Sequence, residues 1–274
     1  MIEMKTRSLL ALTLLPFAMS ACGAAEDDGE QPPEAAVNTS ASNTIIELLE
    51  GGQVVFGIFS GEQTAEGGRL MAENADADFV FYSLESGPFD LDAMGAYMEG
   101  LAEASAGSPP PIALRIPPIR DDREAAIDRT RRGLAAGAQS IVYPHVESVE
   151  DAALTVEAVG DRLWPVNPDG DVVNVFLLED QIAVERAREI TSAPGAGVVI
   201  PGPGDLRRAY EGDMEAVENA IQTVLAACLE LDVPCGITAG VEDIGDRIAQ
   251  GFRFFIVSEP EAIAVGRAAA GREN

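Results

Sequence analysis

The chain has 274 residues, 47% of them apolar, and its 46 acidic side chains against 18 basic ones give a formal charge of −28. This length suits one large α/β domain, and the apolar share is enough for a sizeable core, which argues against global disorder. The acidity argues against nucleic acid and anionic membrane surfaces as partners and reads as a heavily solvated surface.

At the start of the chain, Lys5 and Arg7 precede LLALTLLPFAM, an apolar run too short to span a bilayer and suited to a signal-peptide core. The run ends in MSAC, small residues directly before Cys22, which resembles a bacterial lipobox and implies cleavage before Cys22 and lipidation of its thiol. The alternative is an ordinary secretory signal with an incidental cysteine. Residues 1–21 are thus expected to be a lipoprotein signal peptide, and the protein to be exported and lipid-anchored to a bacterial membrane, facing the periplasm. Lys5 is the only lysine, so cleavage leaves none. That excludes Schiff-base catalysis through a lysine, and any pyridoxal phosphate anchored on one. Residues 22–43 are small, acidic and proline-rich without apolar periodicity, and read as a flexible tether reaching roughly 25 Å.

From residue 44 the chain alternates. Short apolar runs, as expected for parallel strands covered on both faces, stand at VVFGIF (54–59), DFVFYSL (78–84), PIALRI (111–116) and SIVYP (140–144). Four more follow at VVNVFLLE (172–179), GVVIPG (197–202), PCGIT (234–238) and RFFIV (253–257). Helical spacing fills the gaps. DDREAAIDRTRRGLAAGA opens with acids and continues into arginines, and SVEDAALTVEAVGDRL offers Ser148 as N-cap with Asp151 three residues on. In DMEAVENAIQTVLAACLEL, Val217, Ile221, Val224 and Leu225 form one stripe. Eight βα units over residues 44–270 predict an α/β fold of the (β/α)8 TIM-barrel class, with no Gly-x-Gly-x-x-Gly turn after the first strand to favour a doubly wound sheet. Cys228 and Cys235 could pair in an oxidising compartment or remain buried thiols.

In such a barrel, functional groups stand at the C-terminal strand ends. The second strand delivers Ser83, Glu85 and Ser86, the third Arg115, the fourth His145, the fifth Glu179, and the sixth runs through PGPGD to Asp205. Two carboxylates with water suit Mg²⁺ or Mn²⁺, and an arginine fork beside them suits a carboxylate or an enolate oxygen. Local alternatives exist for each: Asp205 as an N-cap, Glu179 as a first-turn acid, Arg115 as structural glue.

The order GIFSG, FYSLESGPFD, IALRI, GAQSIVYPHV, VFLLE and GVVIPGPGDL resembles the HpcH/HpaI aldolase/citrate lyase family, which includes metal-dependent 2,4-dihydroxyhept-2-ene-1,7-dioate aldolases. The resemblance covers residues from about 51 to 270. It implies a (β/α)8 barrel, commonly homo-oligomeric, with a divalent cation held by Glu179 and Asp205. It further implies that Arg115 contacts the keto acid and its enolate, and that amides near Gly202, Gly204 and Asp205 hold the substrate carboxylate. The family pattern Asp-Gly-Glu-His after the second strand is Ser83-Leu84-Glu85-Ser86 here, so the Glu is kept and the proton-transferring His falls on Ser86. An acidic partner of that His falls near Ala135, and a glutamine before the metal Glu is Leu177. His145, the only histidine, and Glu85 are therefore the candidates for proton transfer. The expected function is a metal-dependent carbon–carbon lyase acting on a 2-oxo acid through a pyruvate-like enolate. The alternative is a non-catalytic or remodelled barrel that binds a small carboxylate with a divalent metal.

Overall fold

A computed structural model describes residues 43–272; the expected signal peptide, Cys22 and the tether through residue 42 lie outside the described residues. Asn43, expected as the last tether residue, instead caps a helix, Thr44–Glu50, at the start of the expected domain. Its side chain accepts from Ile45 N, and its amide nitrogen donates to Gln139 O at 2.8 Å and Asp171 O at 3.1 Å.

All eight expected strands form: β1 (Val55–Phe59), β2 (Phe79–Ser83), β3 (Ile112–Arg115), β4 (Ser140–Tyr143), β6 (Val172–Leu178), β7 (Val198–Pro201), β8 (Gly236–Thr238) and β9 (Phe254–Val257). A two-residue strand, β5 (Leu163–Trp164), pairs with the start of β6 and had no counterpart in the sequence reading. Every strand pairing is parallel, running β8-β9-β1-β2-β3-β4-β6-β7. The two ends of this curled sheet approach each other through one bridge, Val199 to Cys235. The result is a TIM-like parallel sheet with helices outside.

The alternation of side chains along each strand divides the core. Phe79 and Phe81, Val173, Val175 and Leu177, Val198 and Ile200, and Phe254 and Ile256 share one cluster inside the sheet. Ile45, Ile46 and Leu49 of the first helix join it. The intervening residues, such as Val80, Tyr82, Phe176 and Val199, pack against the outer helices. Gly57 makes room inside: a Cβ there would lie 2.0 Å from Phe79 Cζ, whose ring stacks on Phe254 at 4.6 Å.

The outer helices begin as the sequence dictates. Ser148 accepts from Asp151 N at 3.1 Å and donates to Asp151 Oδ2 at 2.8 Å, a reciprocal cap on helix Val149–Val159. Cys228 and Cys235 are buried and unpaired. Among the described residues, no helix is long and apolar enough to cross a membrane.

Candidate active site

Extending the interior series by one more inward position on each strand reaches Ser83, Arg115, Glu179, Gly202, Thr238 and Ser258, all at the C-terminal rim. Ser83 and Arg115 are register partners. Arg115 Nε donates to Ser83 Oγ at 2.9 Å, and Nη2 pairs with Glu85 Oε2 at 2.9 Å. The guanidinium carbon lies 5.2 Å from the centre of the Phe81 ring, one interior layer below. Arginine and glutamate side chains are each 21% exposed, so this fork is half-desolvated and fixed on three sides.

Glu179 directly follows β6 and is 3% exposed. The helix behind it, Gln181–Glu185, is capped by Asp180, whose side chain accepts from Ala183 N at 2.9 Å. Glu179 therefore precedes the cap and points inward, which removes its reading as a first-turn acid. Burial pushes its pKa up to about 7; Asp205 and Glu85 push the same way, while His145 and Arg115 oppose. One Glu179 oxygen accepts His145 N–H at 3.2 Å, and His145 Nε2 lies 3.7 Å from that oxygen.

His145 takes this position through a left-handed backbone, φ 53°. Its Nδ1 is buried without a hydrogen-bond partner and lies 3.6 Å from Asp180 Oδ2, an ion-pair rather than a hydrogen-bond distance. Asp180 raises the imidazole pKa and burial opposes it. Burial would raise Asp180 in turn, but His145, the Ala183 N–H and Arg120 outweigh it and hold the carboxyl down at about 2. Arg120 Nη1 completes the network, donating to Glu147 Oε1 at 2.6 Å and Asp180 Oδ2 at 3.2 Å.

Directly after β7, Gly202 approaches Glu179 so closely that a Cβ would lie 2.6 Å from Oε1. The space that the missing side chain leaves is filled by the glutamate. Gly204 has open space around it. Asp205 is the third residue of helix Pro203–Ala209, whose N-cap is Gly202, so Asp205 is not the cap. Its carboxylate is held by Arg208, one turn on. Ser86 is exposed beyond the Glu85–Arg115 pair, and Ala135 is exposed at the end of helix Arg123–Ala135. Leu177 lies beneath Glu179 in the apolar interior, 4% exposed.

Two groups gather ligand atoms within 4.8 Å of one another: Glu85, His145 and Glu179, and His145, Glu147 and Asp180. Asp205, expected beside Glu179, is in neither group and reaches it only electrostatically. A divalent cation fits the chemistry here: Glu179 is a buried carboxylate whose ionisation nothing nearby fully compensates, and the carboxylates of Asp205 and Glu85 both act on it. Sequence reasoning placed Arg115, Glu85, His145 and Glu179 on adjoining strand ends, and they do adjoin. It missed Asp180, Glu147 and Arg120. For Asp180 a signal existed, since LLEDQIA carries a cap-competent acid directly after the strand.

No protein-family model matches the chain. A curated sequence relative is 2-dehydro-3,6-dideoxy-6-sulfogluconate aldolase from Pseudomonas putida, 25% identical over 168 residues, 50% of this chain. The match spans 64% of that enzyme, just under two thirds of its length. Among solved structures, a HpcH/HpaI aldolase/citrate lyase family protein from Burkholderia cenocepacia J2315 superposes with TM-score 0.69 at 22% identity, covering 83% of this chain and 96% of that one. A citrate lyase beta subunit from M. tuberculosis, solved with oxaloacetate and magnesium, gives TM-score 0.56 at 19% identity over 80% of this chain and 97% of that one. The neighbours in fold thus include a HpcH/HpaI family protein, the family whose motifs the sequence resembles, and at these identities the likeness is one of fold.

Proposed function

We propose that this chain is a lyase of the aldolase type, breaking or forming a carbon–carbon bond next to the enolate of a small 2-oxo acid. The observation that carries the reading is the buried Glu179, held at the rim within the field of Asp205, Glu85, His145 and Arg115. A carboxylate buried this deeply and short of cationic partners calls for one. Glu179 and Asp205, the latter released from Arg208, would hold Mg²⁺ or Mn²⁺, whose chemistry when bound is to polarise the oxo group.

Arg115 presents a planar fork suited to the oxo and carboxylate oxygens, and Ser83 and Phe81 keep it in place. Substrate oxygens would take over the contact now made by Glu85, freeing that carboxylate beside the reacting carbon atoms. Glu85 and His145 then share proton handling, with Asp180 orienting the imidazole and Arg120 steadying Asp180. The bond between C3 and C4 of a 4-hydroxy-2-oxo acid breaks as the C4 hydroxyl gives up its proton, and C3 is reprotonated to release the oxo acid.

Solvent deuterium exchange into pyruvate in the presence of Mn²⁺ tests the proposal, and Glu179→Ala is expected to abolish it. Undiminished exchange in that variant removes the assignment. A second reading, a barrel that binds a small carboxylate with a metal but does not turn it over, is favoured by Ser86 standing where the family places its histidine. Calorimetric binding of oxaloacetate and Mn²⁺ without aldol cleavage is its signature. Export with a lipid on Cys22, and assembly into a homo-oligomer, belong to the same proposal; mass spectrometry of the native N-terminus and light scattering test them.

A further inference from the structure

Cys228 and Cys235 take no part in the proposed reaction, and they are the only cysteines among the described residues. Both are buried in the layer between the sheet and the outer helices, 0% and 2% exposed. Cys228 stands near the end of helix Met214–Leu231, on the same buried stripe as Val217, Ile221, Val224 and Leu225. Its carbonyl accepts the N–H of Asp232, which is left-handed at φ 54°, and the N–H of Val233 at 3.0 Å. This turn folds the chain back, so that Cys235 arrives against the helix the chain has just left.

Cys235 is fixed from the other side. It bridges Val199 of β7, whose N–H donates to Pro234 O at 3.1 Å, and its own carbonyl accepts Arg253 N–H at 2.8 Å and Phe254 N–H at 3.2 Å. It therefore stands at the point where the two ends of the sheet meet. The two thiols lie side by side, close enough for Cys228 to act on the Cys235 sulfur through a side-chain hydrogen bond. Burial first, and Cys228 second, push the Cys235 thiol well above its usual pKa.

We propose that Cys228 and Cys235 are an oxidisable pair, and that their disulfide fastens the end of helix Met214–Leu231 to the junction of β7 and β8. The oxidant is a small or protein disulfide, the class that persists outside the cytoplasm, where the proposed export places the chain. One cysteine thiolate attacks a sulfur of that disulfide and releases one thiol. The second thiolate attacks the mixed disulfide and releases the other. Two protein thiols and one disulfide become one protein disulfide and two thiols, so two electrons and two protons pass to the oxidant. The protein sulfurs close to about 2 Å, tying a loop over residues 229–234. The inference stands apart from the lyase reading.

Oxidised glutathione is the probe, applied to the reduced, folded protein. Labelling with iodoacetamide in denaturant and digestion with trypsin then places both cysteines in one peptide, residues 209–247, which has no internal arginine or lysine and excludes Cys22. That peptide is expected to carry no label and to be about 2 Da lighter than the dithiol. The oxidised protein is expected to melt about 5 °C above the reduced one, through closure of a short loop. In Cys228→Ala, or in Cys235→Ala should the first not fold, glutathione is expected to leave Tm unmoved. Two labels on the peptide from the treated parent, or a retained glutathione adduct, overturn the proposal and leave the pair as small apolar side chains. A disulfide that forms without raising Tm, or a rise in Tm that survives in a single-cysteine variant, overturns the fastening.

Discussion

Gly202 and Glu179 compete for one volume: the glutamate carboxylate stands where the glycine's side chain would begin, 2.6 Å from an ideal Cβ. The glycine is therefore a condition for the glutamate's position, and the two directly follow different strands, β7 and β6.

Gly202→Ala forces the carboxylate or β7 to move. The expected cost is about 1–3 kcal/mol of stability, the usual penalty for overfilling a packed site. A loss of Mn²⁺ affinity larger than that of Gly204→Ala should accompany it, because Gly204 has open space. Thermal unfolding and calorimetric titration of both variants check this.

The raised pKa of Glu179 makes stability fall as pH rises. At pH below about 4.5 the group is protonated in both folded and unfolded chains and contributes nothing. Between there and about 7 the folded state holds the extra proton, so each step up in pH favours unfolding, by on the order of 3 kcal/mol in total. Glu179→Gln is expected to flatten this slope in denaturant titrations from pH 4 to pH 8. A divalent cation binds the ionised form, so metal affinity in the parent protein should rise over the same interval and release a proton.

Arg115→Lys keeps the charge but loses the fork that reaches Ser83 and Glu85 together. KM for the oxo acid is expected to rise by one to two orders of magnitude while the fold survives, as circular dichroism would report. Glu85→Gln retains a hydrogen-bond acceptor for Arg115 but no base, so its effect should fall on kcat more than on KM.

His145→Asn tests proton handling without disturbing the backbone, since Asn tolerates φ near +50°. The variant is expected to fold with stability close to the parent at pH 8 and to lose most exchange activity. His145→Ala, with the same chemistry removed, should also destabilise, because alanine tolerates that conformation poorly.

Asn43→Ala removes a helix cap and two tertiary hydrogen bonds at once. Loss of about 1–3 kcal/mol is expected, above the ~1 kcal/mol of an isolated cap, and urea unfolding measures it.

The eight strands were legible because each is buried on both faces and therefore continuously apolar, and their ends located Arg115, Glu179 and Asp205. Helix Thr44–Glu50 was hidden because its capping Asn43 sits at the end of a small, polar run and only seven residues follow before Gly51. β5 is two residues long, below any periodic signal. In the site, alternation explains why Ser83 and Arg115 meet. It does not foretell that Asp205 turns to Arg208, or that His145 adopts a left-handed conformation which brings its amide to Glu179 and its ring near Asp180. Those depend on tertiary packing and rotamers, which local sequence does not encode.

The wall of the molecule is not uniformly sewn. Seven joins between neighbouring long strands are ladders of several residues, whereas β7 and β8 share a single bridge, Val199 to Cys235. Thermal breathing should concentrate along this one line, and amide protons flanking it should exchange with solvent sooner than those of β2 or β6. Because Gly202 borders the seam on one side and Thr238 on the other, any loosening there alters the width of the opening without disturbing Arg115 on the far wall.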